Sequence, residues 1–195
     1  MSDHQASTPA DADETLAPGV FTPLGMPYFR PATIEDLQLV WRLEEASYPP
    51  DEAATLDKLK FRIKNAGNLF MVACSPASSP QDDDEVLGFI CGTQAQGSKL
   101  THDSMSSHDP DGMTLCIHSV VVEETRRRHG LALRMIKAYM GYVQATTPDL
   151  EEVRLLCKAD LVELYSKAGF EMIGPSDVVH GQELWYEMCL SFDSE

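Results

Sequence analysis

The stretch Leu115–Met140, LCIHSVVVEETRRRHGLALRMIKAYM, constrains the fold of this chain more than any other. It opens as an apolar run rich in β-branched residues, Ile117 to Val122, which reads as a buried strand. A charged turn follows from Glu123 to Arg128, and then His129-Gly130-Leu131-Ala132. From there Leu133, Ile136, Lys137 and Met140 recur at helical spacing. A strand, a short basic glycine loop and a helix leave backbone N–H groups unpaired at the positive end of the helix dipole, which suits a phosphate or pyrophosphate. Arg126, Arg127 and Arg128 stand beside that point and are placed to add charge-assisted contacts. The loop lacks the Gly-x-Gly-x-x-Gly of nicotinamide sites and the Gly-Lys-Ser/Thr of the P-loop. The plain alternative is a surface turn with a solvated arginine cluster.

The rest of the chain supplies elements to pack around this unit. Residues Met1 to Met26, rich in Ser, Thr, Pro, Asp and Ala, read as a flexible tail, with residues 27–195 forming one folded domain. Tyr28–Pro31 reads as a short strand. Thr33-Ile34-Glu35-Asp36 has the form of a capping box, in which Thr33 accepts from the Asp36 amide. The helix it opens carries Leu37, Val40, Trp41 and Ala46 on its apolar stripe, and Tyr48-Pro49-Pro50-Asp51 ends it. Thr55 to Ile63 reads as a second helix. Leu69–Ala73 and Val86–Thr93 read as strands joined by the Ser75–Glu85 loop, with Gly88 and Gly92 marking bends or close approach. Gln94 to Gly112 is a long polar connection. After the central helix come a strand at Val153–Cys157, a short helix at Ala159–Lys167 capped by Gly169, and a closing strand at Trp185–Leu190. That order predicts an α/β (α+β) fold with a mixed sheet.

Charge and cysteine usage narrow the function classes. A formal net charge of −16 argues against a nucleic-acid partner, whose footprint is basic, and favours a cationic small molecule. The five cysteines lack metal-ligand spacing, so no metal site is expected; four lie in apolar surroundings, as reduced thiols of a cytoplasmic protein do. No apolar run reaches membrane-spanning length, and the N-terminus has neither a secretory signal nor an Arg-rich phosphosite for an adaptor protein. A cytoplasmic monomer is expected.

Arg127-x-x-Gly130-x-Ala132 resembles the acyl-CoA pyrophosphate loop of the GNAT acetyltransferase superfamily, and Leu164-Tyr165-Ser166-Lys167-Ala168-Gly169-Phe170 matches the segment after its fifth strand. Three further segments narrow the match: Glu45–Ala53 around Tyr48-Pro49-Pro50, His108–Gly112 leading into Cys116–Val122, and Gly174-Pro175-Ser176 before the Trp185 strand. Together they are similar to the arylalkylamine (serotonin) N-acetyltransferase family in its non-vertebrate branch, over about Phe29 to Leu190. The resemblance implies a mostly antiparallel sheet splayed between strands 4 and 5, with helices on both faces. It implies acetyl-CoA as co-substrate, its pantetheine arm along Val120, Val121 and Val122, and its pyrophosphate at Arg127, Arg128, His129, Gly130, Leu131, Ala132 and Leu133.

The chemistry implied is acetyl transfer to the primary amine of a serotonin-, tryptamine- or phenylethylamine-like acceptor by direct attack. An ammonium ion must lose a proton before it attacks a thioester, and the departing thiolate must gain one. His118, with a reference pKa of about 6.5, is the implied base, directly or through water. Tyr165 is the implied acid, and a β-bulge near Val120 would aim an amide at the oxyanion. Vertebrate members carry a histidine where this chain has Cys116, so a two-histidine relay is not available; His108, on the preceding loop, is a candidate helper or a plain loop residue. Tyr48, Pro49, Leu156 and Trp185 are implied as walls around the aromatic acceptor. The alternatives are a polyamine N-acetyltransferase and a catalytically impaired CoA-binding regulatory module.

Overall fold

The computed structural model describes residues 26–77, 79, 83–97, 100, 106–178 and 183–192. The expected flexible tail, apart from Met26, lies outside the described residues. The chain order is β1 (Tyr28–Pro31), α1 (Leu37–Ser47), α2 (Leu56–Asn65), β2 (Phe70–Ser75), β3 (Glu85–Ala95), β4 (Thr114–Val122), α3 (Leu131–Thr146), β5 (Glu152–Cys157), α4 (Val162–Lys167), β6 (Glu171–Pro175) and β7 (Tyr186–Ser191). These strands form one seven-stranded sheet in the order β1-β2-β3-β4-β5-β7-β6. Every neighbouring pair is antiparallel except β4 and β5, which α3 joins as a parallel crossover.

The sheet has a core on each face. On one, α3 and α4 bury Met135, Ile136, Tyr139 and Tyr165 against Leu115, Ile117, Val153 and Leu155. On the other, α1 and α2 bury Leu37, Val40, Leu59 and Ile63 against Val72, Phe89, Cys91 and Val121. The helix α3 starts at Leu131, two residues earlier than Leu133, because Gly130 (φ 76°) serves as its N-cap. Its buried stripe is therefore Leu131, Met135, Ile136, Tyr139, Met140 and Val143, with Lys137 exposed. The stripe on α1 likewise differs from expectation. Ala46 is exposed, and Glu44 takes the buried position one turn after Val40.

The expected capping box forms at Thr33, with the Asp36 carboxylate also accepting from the Thr33 N–H (2.7 Å) and hydroxyl (3.2 Å). The same carboxylate takes a two-pronged contact from Arg30, at 2.7 and 2.8 Å. The strand β6 has no counterpart in the expected order of elements. It is an edge strand whose Met172 and Ile173 are exposed, so it carries no alternation of buried and exposed residues.

Two irregularities in pairing shape the centre of the sheet. The ladder between β4 and β5 runs only from Thr114↔Glu152 to Ile117↔Leu155, after which β4 continues alone to Val122. The register between β3 and β4 shifts at the same level: Cys91 faces Ser119 but Gly92 faces Ile117, so His118 is an extra residue on β4. Gly92 lies in the tightest part of this bulge. A Cβ there would come within 2.7 Å of Leu115 Cδ1 and 2.8 Å of the Cys116 carbonyl oxygen. Gly92→Ala is therefore expected to lose about 1–3 kcal/mol of stability through overpacking, read as a lower urea midpoint; an unchanged midpoint would show that the bulge tolerates a wider backbone spacing.

Candidate active site

In an unbroken strand His118 and Ser119 would point to opposite faces. The bulge instead turns both toward α1 and α2, the face that Cys91 and Thr93 share on β3. His118 Nε2 lies 2.8 Å from Thr93 Oγ1, and the Ser119 hydroxyl donates to Glu44 Oε1 at 3.2 Å. The bulge expected near Val120 thus lies at His118.

These side chains open onto a cleft of about 160 Å³ lined by, among others, Glu44, Tyr48, Glu52, Arg62, His118 and Ser119. Leu156 and Trp185 also line it. A second hollow of about 220 Å³ adjoins it, sharing Lys58, Arg62 and Ser106. Pro49 is not a wall. It is exposed, and its carbonyl accepts from the amides of Glu52 and Ala53, shaping the turn that carries Tyr48 to the cleft. His108 lies elsewhere, its Nδ1 accepting from the Gln94 N–H at 3.1 Å to tie down the β3–β4 connection. Burial lowers its pKa, with Asp109 opposing.

Glu44 is a further residue of this site, beyond those the sequence singles out. It is 1% exposed, its Oε1 accepts from the Ala54 N–H (2.8 Å) and from Ser119, and Oε2 accepts no hydrogen bond among the described residues. Burial raises its pKa, against the pull of the Ala54 amide, Ser119 and Arg62. The signal was present: Leu37, Val40 and Glu44 recur at helical spacing, and a carboxylate on the buried stripe needs a reason to be there.

Tyr48 lines the cleft, and Tyr165 is buried in the core on the α3 face of the sheet. Burial pushes the Tyr48 hydroxyl well above the ordinary phenol range; Tyr165 and Glu44 push the same way, and hydrogen bonding with the Val120 backbone pulls against them. Tyr165 is buried edge-on to Phe170, with ring centroids 5.9 Å apart, and burial beside Cys157 also raises its hydroxyl. The Glu123 N–H donates to Leu87 of β3. Since N–H groups alternate in direction along a strand, those of Val120 and Val122 point away from β3, toward the gap that β5 has left.

The loop before α3 combines two left-handed residues, Arg128 (φ 64°) and Gly130 (φ 76°). Alternation of this kind turns successive N–H groups inward and forms an anion-binding concavity. It adjoins the first turn of α3, where the Leu131, Ala132 and Leu133 amides precede the first intrahelical bond, Arg134 N–H to the Gly130 carbonyl. Arg128, His129 and Gly130 are exposed. Arg126 pairs with Glu85 at 3.0 Å, while Arg127 donates to the Val122 carbonyl (2.9 Å) and the Ser47 hydroxyl (3.1 Å). Those two arginines are turned from the loop toward β3, β4 and α1.

At the mouth, Lys158 Nζ lies 3.0 Å from Glu52 Oε2 and 3.1 Å from Glu183 Oε2, and 5.4 Å from the centre of the Trp185 ring. The Glu52 contact has ion-pair distance without hydrogen-bond alignment. Partial desolvation works against the charge on Lys158, and the two carboxylates outweigh it, so its pKa is raised. Among the described residues no group of three or more His, Cys, Asp or Glu side chains gathers to hold a metal ion.

A raised carboxylate pKa means that the folded chain holds the Glu44 proton more tightly than the unfolded chain does. The ionised form therefore costs stability above the usual carboxylate range, and that cost vanishes as pH falls below it. Glu44→Gln keeps an acceptor for Ala54 and Ser119, and is expected to raise Tm near neutral pH and to leave it unchanged in acid. A Tm difference independent of pH would contradict this.

The sequence model of the acetyltransferase (GNAT) family matches residues 36–170. Serotonin N-acetyltransferase of Mesocricetus auratus is 28% identical over 110 residues, covering 56% of this chain and 53% of that protein. The Homo sapiens protein of the same name is 23% identical over 106 residues, 54% of this chain and 51% of that protein. The chain spans about half the length of the curated relatives it matches. Among solved structures, the loading GNATL domain of CurA from Lyngbya majuscula superposes with a TM-score of 0.70 at 12% identity, over 85% of this chain and 97% of that one. Arabidopsis thaliana NAA60 in complex with acetyl-CoA gives 0.63 at 19% identity, over 85% and 98%. With the seven-stranded sheet, its parallel β4–β5 pair and the match across α1 to α4, the chain belongs to the acetyltransferase (GNAT) family.

Proposed function

We propose that this chain transfers the acetyl group of acetyl-CoA to the primary amine of an arylalkylamine. The observation that carries the reading is a coincidence in the sheet. Where β4 parts from β5, the bulge aims His118 into a cleft walled by Tyr48, Leu156 and Trp185. The nucleotide end of acetyl-CoA would lie on the Arg128–Leu133 amides, and the pantetheine arm would pair with the Val120 and Val122 edge. That the structurally similar NAA60 was solved with acetyl-CoA supports the co-substrate.

In the transfer, the acceptor enters as an ammonium ion, and the buried Glu44 carboxylate, with an oxygen to spare, draws it to the inner end of the cleft. His118 removes the proton, directly or through water, and the amine attacks the thioester carbon. The C–N bond forms, the C–S bond breaks, and the Val120 amide meets the oxyanion. Tyr165 faces the sulfur. Its raised pKa keeps it a neutral donor throughout the working range, so it stabilises the leaving thiolate as a hydrogen bond before any proton moves. The acceptor ring packs between Tyr48 and Trp185.

Initial rates with tryptamine, phenylethylamine and spermidine at equal concentration test the acceptor class, and the aryl amines are expected to turn over faster. His118→Gln is expected to lower kcat by about 10²–10⁴-fold, the usual range for a lost proton-transfer group, with Tyr165→Phe costing less. A double variant as fast as the parent would remove both roles.

A further inference from the structure

Two carboxylates and an aromatic face are what a protein assembles to hold an alkylammonium ion. At the mouth of this cleft that assembly is complete, and the chain's own Lys158 fills it, between Glu52 and Glu183 and over Trp185. Glu52 and Trp185 are themselves walls of the cleft. The Glu52 side chain is 5% exposed, so its charge needs a resident counter-ion. Glu183 is 63% exposed and reaches in from the β6–β7 connection. The cleft therefore has one acid, Glu44, at its inner end for the reacting nitrogen, and an ammonium site already occupied at its outer end.

We propose that Lys158 is a specificity-determining residue: by filling the ammonium site of Glu52, Glu183 and Trp185, it makes the cleft select amines whose far end is uncharged. The inference rests on the amine-acetylation reading above and sharpens it to monoamines. The second ammonium of a diamine or polyamine meets a position that already carries a positive charge. Without Lys158, two carboxylates at the mouth lack a partner and attract that second ammonium.

The test compares the parent, Lys158→Met and Lys158→Arg with tryptamine and with spermidine. Lys158→Met is expected to lower KM for spermidine about tenfold relative to tryptamine, equivalent to about 1.4 kcal/mol. Lys158→Arg, which keeps the charge, should hold the parent's ratio, and Glu183→Gln added to Lys158→Met should take back most of the gain. A spermidine-to-tryptamine ratio of kcat/KM equal to the parent's in Lys158→Met overturns the proposal. Lys158→Gln replaces Lys158→Met if the latter folds poorly. If the parent acetylates neither amine, the functional reading fails separately, and calorimetric titration of spermidine still decides this one. Binding about tenfold tighter to Lys158→Met than to the parent supports it, and equal affinity refutes it.

Discussion

The early end of the β4–β5 ladder is the constraint on which the rest of this structure depends. Parallel strands joined by a helix normally pair along their shared length, but here the pairing stops at Ile117↔Leu155 and β4 goes on to Val122 beside β3 alone. Main-chain groups left facing a gap must find partners, because unpaired polar groups away from water are costly. Arg127 supplies one by donating to the Val122 carbonyl, and the Tyr48 hydroxyl lies at the Val120 backbone. The gap is thus a place where the sheet is unfinished and the protein holds it open with side chains from α1 and the loop before α3.

The bulge converts that gap into chemistry. One extra residue on β4 puts His118 and Ser119 on the same face, where Thr93 and Glu44 fix them. Glu44 in turn holds the Ala54 amide at the start of α2, so a single buried carboxylate joins α1, α2 and the bulged strand. The links to Glu44 are buried and the His118–Thr93 contact is partly so, which ties the bulge to both helices.

Much of this was legible in the sequence, for definite reasons. The run from Leu115 to Met140 is long and strongly patterned, and it folds as the strand, basic turn and helix that its periodicity describes. The strand β6 was invisible because an exposed edge strand interrupted by Gly174 and Pro175 has no pattern to read. Glu44 was passed over because it counts as a charged residue on a helix, and only the spacing from Leu37 and Val40 marks it as facing inward. The bulge leaves no trace in the alternation Leu115, Ile117, Val120, Val122 except the missing step at His118-Ser119. The destinations of Arg126 and Arg127 depend on Glu85, Val122 and Ser47, which are distant in the chain and meet them only in the fold.

Arg127 couples two parts of the molecule. Its guanidinium clasps the open edge of β4 at Val122 and, through Ser47, the end of α1 that leads into Tyr48. Any extended ligand that pairs along this edge competes with Arg127 for the same carbonyl. The two Arg127 bonds tie that edge to the end of α1, just before the turn at Pro49. Such wiring makes the open strand edge and the Tyr48 turn a single mechanical unit.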